Sequence, residues 1–560
     1  MTSGMPSGAD GEAGQVKNII VMVADGGGFN TLEAVRDYLG DPRGGPQGEL
    51  AVDGDDFVSV AQSTFPLDTR TEPLPAPAGL LQNPATVYSP EQNYDFTPVA
   101  GENADGYPRG FDGYDWNRGT APDSANTMSA MMTGEKTYNN AINVDGAGDP
   151  LLSLAEKAHA AGKATGVVST VLFSDATPAA GGGAHNVARA NHDEIATEMF
   201  KAGVLDVIGG TGNPDYDDDG KLAAEPDYDW MPKEIWDQLK TGTLTAEDGS
   251  AWTLLQDRAA IQAAGSGEPV DERLAMIAQA FTGTNFYRSG GEPETEAPYT
   301  TPRLETSPTL TELSQAALNK LGGNADGFYL TIEGGGVDRA MHANSFGRMI
   351  EEYVEFDKAV KATIDWINSD ESAASFEDTL LIVTADHDHL LFGPEGETIP
   401  YQRVQEDRDG DGVPEYQWFG DGHSNQLVPL HAMGEGADGV KALADRQDVV
   451  LDADGERIAG SGRDYTDQAE LGAYLLDQVG AEAQPVPAAP IDWNALAAQV
   501  TANYEATGYW FVLSDWRRWR LSAPPLLLLP PSTTKKAAPE GAAEFREESS
   551  KRRRASACPA

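Results

Sequence analysis

Cysteine is almost absent from this chain: one residue, Cys558, in 560. No disulfide can close within the chain and no multi-thiolate metal site can exist, so any bound metal must rest on oxygen and imidazole ligands. Positive charge is scarce as well, with 39 Lys and Arg against 89 Asp and Glu and a formal net charge of −50. Such a field opposes nucleic acid and anionic membranes, which need a basic footprint, and suits an acidic, salt-tolerant surface or cation-collecting loops. Long apolar runs are missing too. The longest late one, Leu526 to Leu529, is far short of the ~20 residues of a membrane helix, so no membrane span is expected. The opening residues carry no basic stretch followed by an apolar core, and no signal peptide is visible. What remains is a globular composition, 40% hydrophobic, with 61 Gly and 35 Pro that predict long structured loops.

The chain divides into a flexible lead (1–15), one elaborated domain (16–507) and a basic tail (508–560) read as disordered or out-of-frame. From Gly508 onward ten Lys and Arg outweigh five Asp and Glu, leaving −55 on the residues before it. Within the domain, apolar runs at Val16–Ala24, Gly327–Ile332 and Thr379–Ala385 read as buried parallel strands, and each runs into an acid: Asp25, Glu333 and Asp386. Leu151–Ala161 is a helix pattern before a strand at 164–169, and Phe346–Asn368 carries an apolar stripe at helical spacing. Alternating strands and helices predict an α/β fold: a large, mostly parallel central sheet with helices on both faces. Ligands of such sheets bind at the carboxyl ends of the strands, so the three acids converge on one edge. Segments near 30–120 and 211–305 lack sustained periodicity and are read as insertions decorating that sheet.

Three segments carry chemistry. In Glu333-Gly-Gly-Gly-Val-Asp338-Arg339-Ala-Met-His342, Asp338 and His342 stand four apart and share one helix face, as paired metal ligands do. Asp386-His387 sets a carboxylate beside an imidazole at a strand end, which suits zinc. The following Asp388 and His389 read as loop polars or as partners behind the ligands, because alternation along an extended backbone sends neighbours in different directions. Asp123-Ser124 opens a helix of small and apolar residues. Alone it is an ordinary N-cap, yet unpaired amides there would favour a phosphate or a developing alkoxide on Ser124.

In order, these segments resemble the alkaline phosphatase family. The resemblance runs through Asp25, Asp123-Ser124-Ala125 followed by Thr133 to Asn139, Asp175-Ala-Thr177-Pro-Ala179, Glu333 to His342, Thr384 to His387, and Gly422-His423, over roughly 16–475. It implies a phosphomonoesterase with Ser124 as nucleophile and a phosphoserine intermediate. It implies one zinc on Asp338, His342 and His423, a second on Asp25, Asp386 and His387, and a magnesium on Asp25, Thr177 and Glu333. Arg189 matches the arginine that grips two phosphate oxygens, while Asp175 and Arg339 match positions beside the magnesium that tune it. The substrates implied are small phosphate monoesters, the location periplasmic or extracellular, and a homodimer is compatible with the family.

Two acidic turns, Asp215-Tyr-Asp217-Asp-Asp219-Gly220 and Asp407-Arg-Asp409-Gly-Asp411-Gly412, fit a calcium-loop pattern in which alternate carboxylates converge on an ion. Two alternatives stay open. A phosphodiesterase or sulfatase relative could use the same sheet, although Arg189 and the third metal site favour a dianionic monoester. A noncatalytic, acidic calcium-binding surface protein would fit the charge, but leaves Ser124, His342, His387 and His423 unexplained.

Overall fold

The structure is a computed structural model, and it describes residues 16–480 apart from 41–47, 271, 371, 394–403, 405–406, 408–411 and 454. Both termini as read from the sequence, 1–15 and 508–560, lie outside the described residues. In chain order the strands that matter are β1 (Asn18–Ala24), β2 (Val58–Ser63), β3 (Ala164–Leu172), β4 (Val207–Thr211), β5 (Trp252–Leu255), β6 (Arg273–Ile277), β7 (Phe328–Gly334), β8 (Thr379–Thr384), β9 (Asp388–Phe392), β10 (Gln417–Ser424), β11 (Val428–Gly434), β12 (Arg446–Gln447) and β13 (Asp464–Asp467). Eleven of them form one sheet in the order β12-β13-β2-β11-β8-β1-β7-β3-β4-β6-β5, and β9 pairs with β10 as a separate hairpin.

From β8 through β1 and β7 to β5 every neighbouring pair is parallel. Antiparallel pairing enters on the other side, where β11 lies between β8 and β2. β1 shows why this part of the sheet is a continuous apolar run in sequence. Ile19, Val21 and Val23 pack into one core cluster and Ile20, Met22 and Ala24 into a second, so both faces are covered and neither needs polar residues. One face carries helices α1 (Ser124–Thr133), α2 (Ala176–Gly181) and α6 (Gln468–Val479). The other carries α3 (Leu310–Leu321), α4 (Gly336–His342) and α5 (Phe346–Ile367). No helix among the described residues is long and apolar enough to cross a membrane.

The expected fold class is the one observed, but the two segments read as insertions are not wholly outside the sheet. The first contains a helix at Phe29–Leu39 and the strand β2, and the second supplies β5 and β6 at the sheet edge. Short edge strands such as the four-residue β5 are too brief for alternation to stand out from loop composition.

Candidate active site at the strand ends

Register brings the acids together. β1 pairs Val23 with Glu333 of β7 on one side and with Thr384 of β8 on the other, so Asp25 and Asp386 leave adjacent strands at the same level and Glu333 stands two residues back on the third. The glycines after Asp25 are required by close approach. A Cβ on Gly28 would lie 1.5 Å from Asp388 Oδ1, and one on Gly26, whose φ is +74°, would meet Met341 and His389 at 2.7 and 2.8 Å. The amide of Gly26 donates to Asp386 Oδ1 at 2.9 Å, as does the amide of His387.

Ser124 begins α1, whose ten residues are all buried and whose N-cap Asp123 accepts from the Asn126 amide. Its Oγ lies 3.1 Å from His387 Nε2 and 3.5 Å from Asp25 Oδ1. His387 Nε2 is also 3.3 Å from Asp25 Oδ1 and from Asp386 Oδ2. Beside this group stands a second centred on Asp338 Oδ1, with Nε2 of His389 at 2.7 Å, of His342 at 3.3 Å and of His423 at 3.4 Å. Asp338 and His342 meet across one turn of α4, and His423 arrives through the hairpin, in which it pairs with His389. Ligand atoms converge within 4.8 Å of one another in two sets: Asp25, Asp386 and His387, and Asp338, His387, His389 and His423.

The structure thus brings Asp25 and Asp386 beside His387, places His342 and His423 around Asp338, and draws in His389, which the sequence placed among loop polars or partners behind the ligands. His387 and His389 are two apart on an extended segment and share a face, while Asp388 between them turns away to Ser424 and Gln426. Alternation was the right rule, but it separates Asp388 from both histidines and does not separate His389 from His387. Other supports carried no sequence signal. Thr127 of α1 donates to Asp386, Ser169 of β3 to Glu333, and Gln468 of α6 to the Asp386 carbonyl.

The electrostatics are those of a site built for cations. Burial, then the charges of Asp386, Asp338 and Glu333, push Asp25 well above the usual carboxylate range. Burial lifts Glu333 to about 8, aided by Asp175 and Asp386 and opposed by the Ser169 hydroxyl. Burial lifts Asp386 to about 6 against the hydrogen bond from Gly26. Asp338 goes the other way: burial would raise it, but His342, His389 and His423 hold it well below the usual range. Burial and the neighbouring rings keep His387 far below the ordinary imidazole value, and burial takes His389 to about 3. Among the described residues no lysine or arginine ion pair reaches Asp25, Glu333 or Asp386. The buried Thr177 Oγ1 has no hydrogen-bond partner. Crowded carboxylates without cations, neutral imidazoles and an orphaned hydroxyl fit metal ions on oxygen and nitrogen donors.

Arg189 sits above this floor, with Nη1 3.3 Å from Asp123 and Nη2 3.0 Å from Asp175. Arg339 pairs with the other oxygen of Asp175, whose carboxyl the two guanidiniums hold well below its usual range despite burial. Ser124, Asp175, Arg189, Asp338, Arg339, His342 and His423 open onto one cavity of ≈ 370 Å³.

In the first acidic turn, protein donors reach each of the aspartates expected to face calcium. Asp215 accepts from Trp236 and Lys240, Asp217 from the amides of Asp219 and Lys221, and Asp219 from Ser289 and Lys221. In the second turn, Asp407 accepts from the Gly412 amide, while Asp409 and Asp411 lie outside the described residues.

A family model described as alkaline phosphatase matches residues 110–427. Alkaline phosphatase 3 of Bacillus subtilis is 28% identical over 383 residues, covering 67% of this chain and 62% of that protein. Alkaline phosphatase 4 of the same organism is 30% identical over 271 residues, covering 47% of this chain and 49% of that protein. The chain thus spans about three fifths and about half of the length of these two relatives. The cold-active alkaline phosphatase from a Shewanella species superposes with a TM-score of 0.53 at 20% identity, covering 83% of this chain and all of that one. That of Thermus thermophilus gives 0.53 at 17%, covering 86% and 97%. At those identities the likeness concerns the fold.

Proposed function

Because the chain belongs to the alkaline phosphatase family, whose match covers more than half its length, we propose that it hydrolyses phosphate monoesters to an alcohol and inorganic phosphate through a phosphoserine. The observation that carries this reading is the position of Ser124. Its Oγ stands at a helix start, 3.1 Å from His387 Nε2, and His387 belongs to both converging ligand sets.

Asp338, His342 and His423 would hold one zinc, Asp25, Asp386 and His387 a second, and Asp25, Thr177 and Glu333 a magnesium. When bound, these ions act as Lewis acids that ease ionisation of Ser124 and of water and neutralise charge on the departing oxygen. The amides at the start of α1 face developing negative charge beside Ser124. Arg189, oriented by Asp123 and Asp175, binds two phosphoryl oxygens in a planar fork. Ser124 Oγ attacks phosphorus, the bond to the alcohol oxygen breaks, and the alkoxide leaves to be protonated. Water then attacks the phosphoserine from the vacated side, phosphate departs, and the Ser124 hydroxyl is restored. Asp175 and Arg339 hold each other and Arg189, which sets the charge around the magnesium site. His389 Nε2 lies 2.7 Å from Asp338 Oδ1 and its ring packs edge-on against those of His342 and His423, so it orients that carboxylate. Export to the periplasm or exterior, inferred from the family, belongs to the same proposal.

The test is turnover of p-nitrophenyl phosphate at alkaline pH with added zinc and magnesium, beside bis(p-nitrophenyl) phosphate. Monoester hydrolysis is expected to dominate, to vanish on chelation and to fall at least about 10³-fold in Ser124→Ala. Preference for the diester would replace this reading with a phosphodiesterase.

A further inference from the structure

A phosphoryl group fills only part of the ≈ 370 Å³ cavity above Ser124, and one side of that cavity belongs to neither ligand set. Leu172, Ala190, His192, Trp230, Thr282 and Tyr287 line the same cavity as Asp175, Arg189, Asp338 and Arg339, and add aromatic and apolar surface to a charged site. Trp230 and Tyr287 are half-buried and come from the segment between β4 and β7, whose length the metal floor does not require.

The Trp230 ring is fixed before any ligand arrives. The His192 imidazole meets it edge-on, with centroids 4.8 Å apart and planes at 88°, and Phe281 packs 5.7 Å away at 47°. Ser174 Oγ donates to the Trp230 carbonyl at 3.0 Å. Tyr287 is braced by Phe286 at 4.9 Å, and its hydroxyl makes no hydrogen bond within the described residues. A preorganised aromatic surface costs little ordering on binding and favours a flat partner.

We propose that this wall is the leaving-group subsite, with Trp230 as the specificity-determining residue, and that it selects monoesters whose alcohol carries a flat ring over those of small aliphatic alcohols. The proposal rests on the phosphomonoesterase reading, and its test separates the two. Phenylphosphonate and methylphosphonate, which are not hydrolysed, are compared as ligands of the metal-loaded protein. Phenyl phosphate and glycerol 2-phosphate are compared as substrates, each in wild type, Trp230→Ala and Trp230→Phe.

The wild type is expected to bind phenylphosphonate about tenfold more tightly than methylphosphonate, a ratio of the size one aromatic contact supplies. Trp230→Ala should bring that ratio near one and lower kcat/KM for phenyl phosphate by a similar factor, while glycerol 2-phosphate changes less than about threefold. Trp230→Phe should keep most of the preference. A wild-type phosphonate ratio near one overturns the subsite without recourse to any variant, as does an equal fall for both substrates in Trp230→Ala. Hydrolysis of neither ester, with the phosphonate preference intact, would reject the phosphatase reading and leave the aromatic subsite standing.

Discussion

Carboxylates crowd together around Asp25 at the strand ends and again in the turn from Asp215 to Asp219, and their surroundings differ. In the turn each acid has its own donor: Asp218 takes the Thr282 amide at 2.5 Å, and Asp219 takes the amide and hydroxyl of Ser289 at 2.8 Å. At the strand ends, Asp25, Glu333 and Asp386 are buried against one another, and two of them are lifted to about 6 and about 8. Density of aspartate is common to both. The strand ends, unlike the turn, bury their acids against one another with few donors between them, which suits cations. The turn does a different job, tying the segment that carries Thr282 and Tyr287 to its neighbour.

The largest effect should come from stripping the metals. In the stripped protein the raised Asp386 and Glu333 hold protons more tightly folded than unfolded. Their contribution is therefore present below the ordinary carboxylate range and is lost as pH rises through about 6 and about 8. Thermal melts at pH 5 and pH 9 should show the stripped protein losing on the order of several kcal/mol over that interval, and zinc with magnesium restoring it. The same pH dependence with and without metal would erase the distinction between the two regions.

A smaller effect is expected at the turn. Replacing Asp218 and Asp219 together by Ala should cost about 1–3 kcal/mol in denaturant unfolding and raise KM for phenyl phosphate several-fold, since the cavity wall loses its anchor. Added calcium should leave the wild-type melting temperature unchanged. Calcium stabilisation of the wild type that disappears in the double variant would restore the turn as an ion site.

The smallest effect concerns carboxylates that take their cation from the chain itself. His185 lies 2.9 Å from Glu198 and 3.4 Å from Glu156, and these acids raise it to about 10 against the opposing effect of burial. That stabilisation is complete below the ordinary histidine value and fades as pH climbs to about 10. His185→Gln should therefore cost about 2 kcal/mol at neutral pH, with the gap to wild type closing above pH 10 in unfolding titrations.

What could be read in the sequence tracks local regularity. Asp25, Glu333 and Asp386 were legible because each ends an apolar run long enough to be a buried parallel strand, and parallel strands point their carboxyl ends one way. Asp338 and His342 were legible from helical spacing, whereas Ser124, an ordinary N-cap neighbour taken alone, stood out only through the family resemblance of the ordered motifs around it. His389 escaped because its pairing with His423 is set by a hairpin whose two strands lie about thirty residues apart. Trp230, Thr282 and Tyr287 escaped for a stronger reason: they reach the cavity on irregular segments, where position depends on tertiary anchors such as Asp218. The donors around the acidic turn were not legible, because a carboxylate pattern records acceptors and says nothing of the groups that fold against them.

β1 sits between β7 and β8, paired through Ile19 with Tyr329 and with Leu380, and this fixes an order in time. The first ligand, Asp25, is made early and the last, His423, nearly four hundred residues later. At about 5–20 residues per second a ribosome needs roughly 20–80 s to cover that gap. Throughout it the most apolar strand of the molecule lacks both neighbours, so the nascent chain exposes its future centre before it has a core. Pairings of such long range make for slow folding. A chain that stops short of the hairpin already carries Ser124, Arg189, Asp25, Glu333, Asp338, His342, Asp386 and His387, and lacks the two histidines, His389 and His423, that the hairpin brings to Asp338.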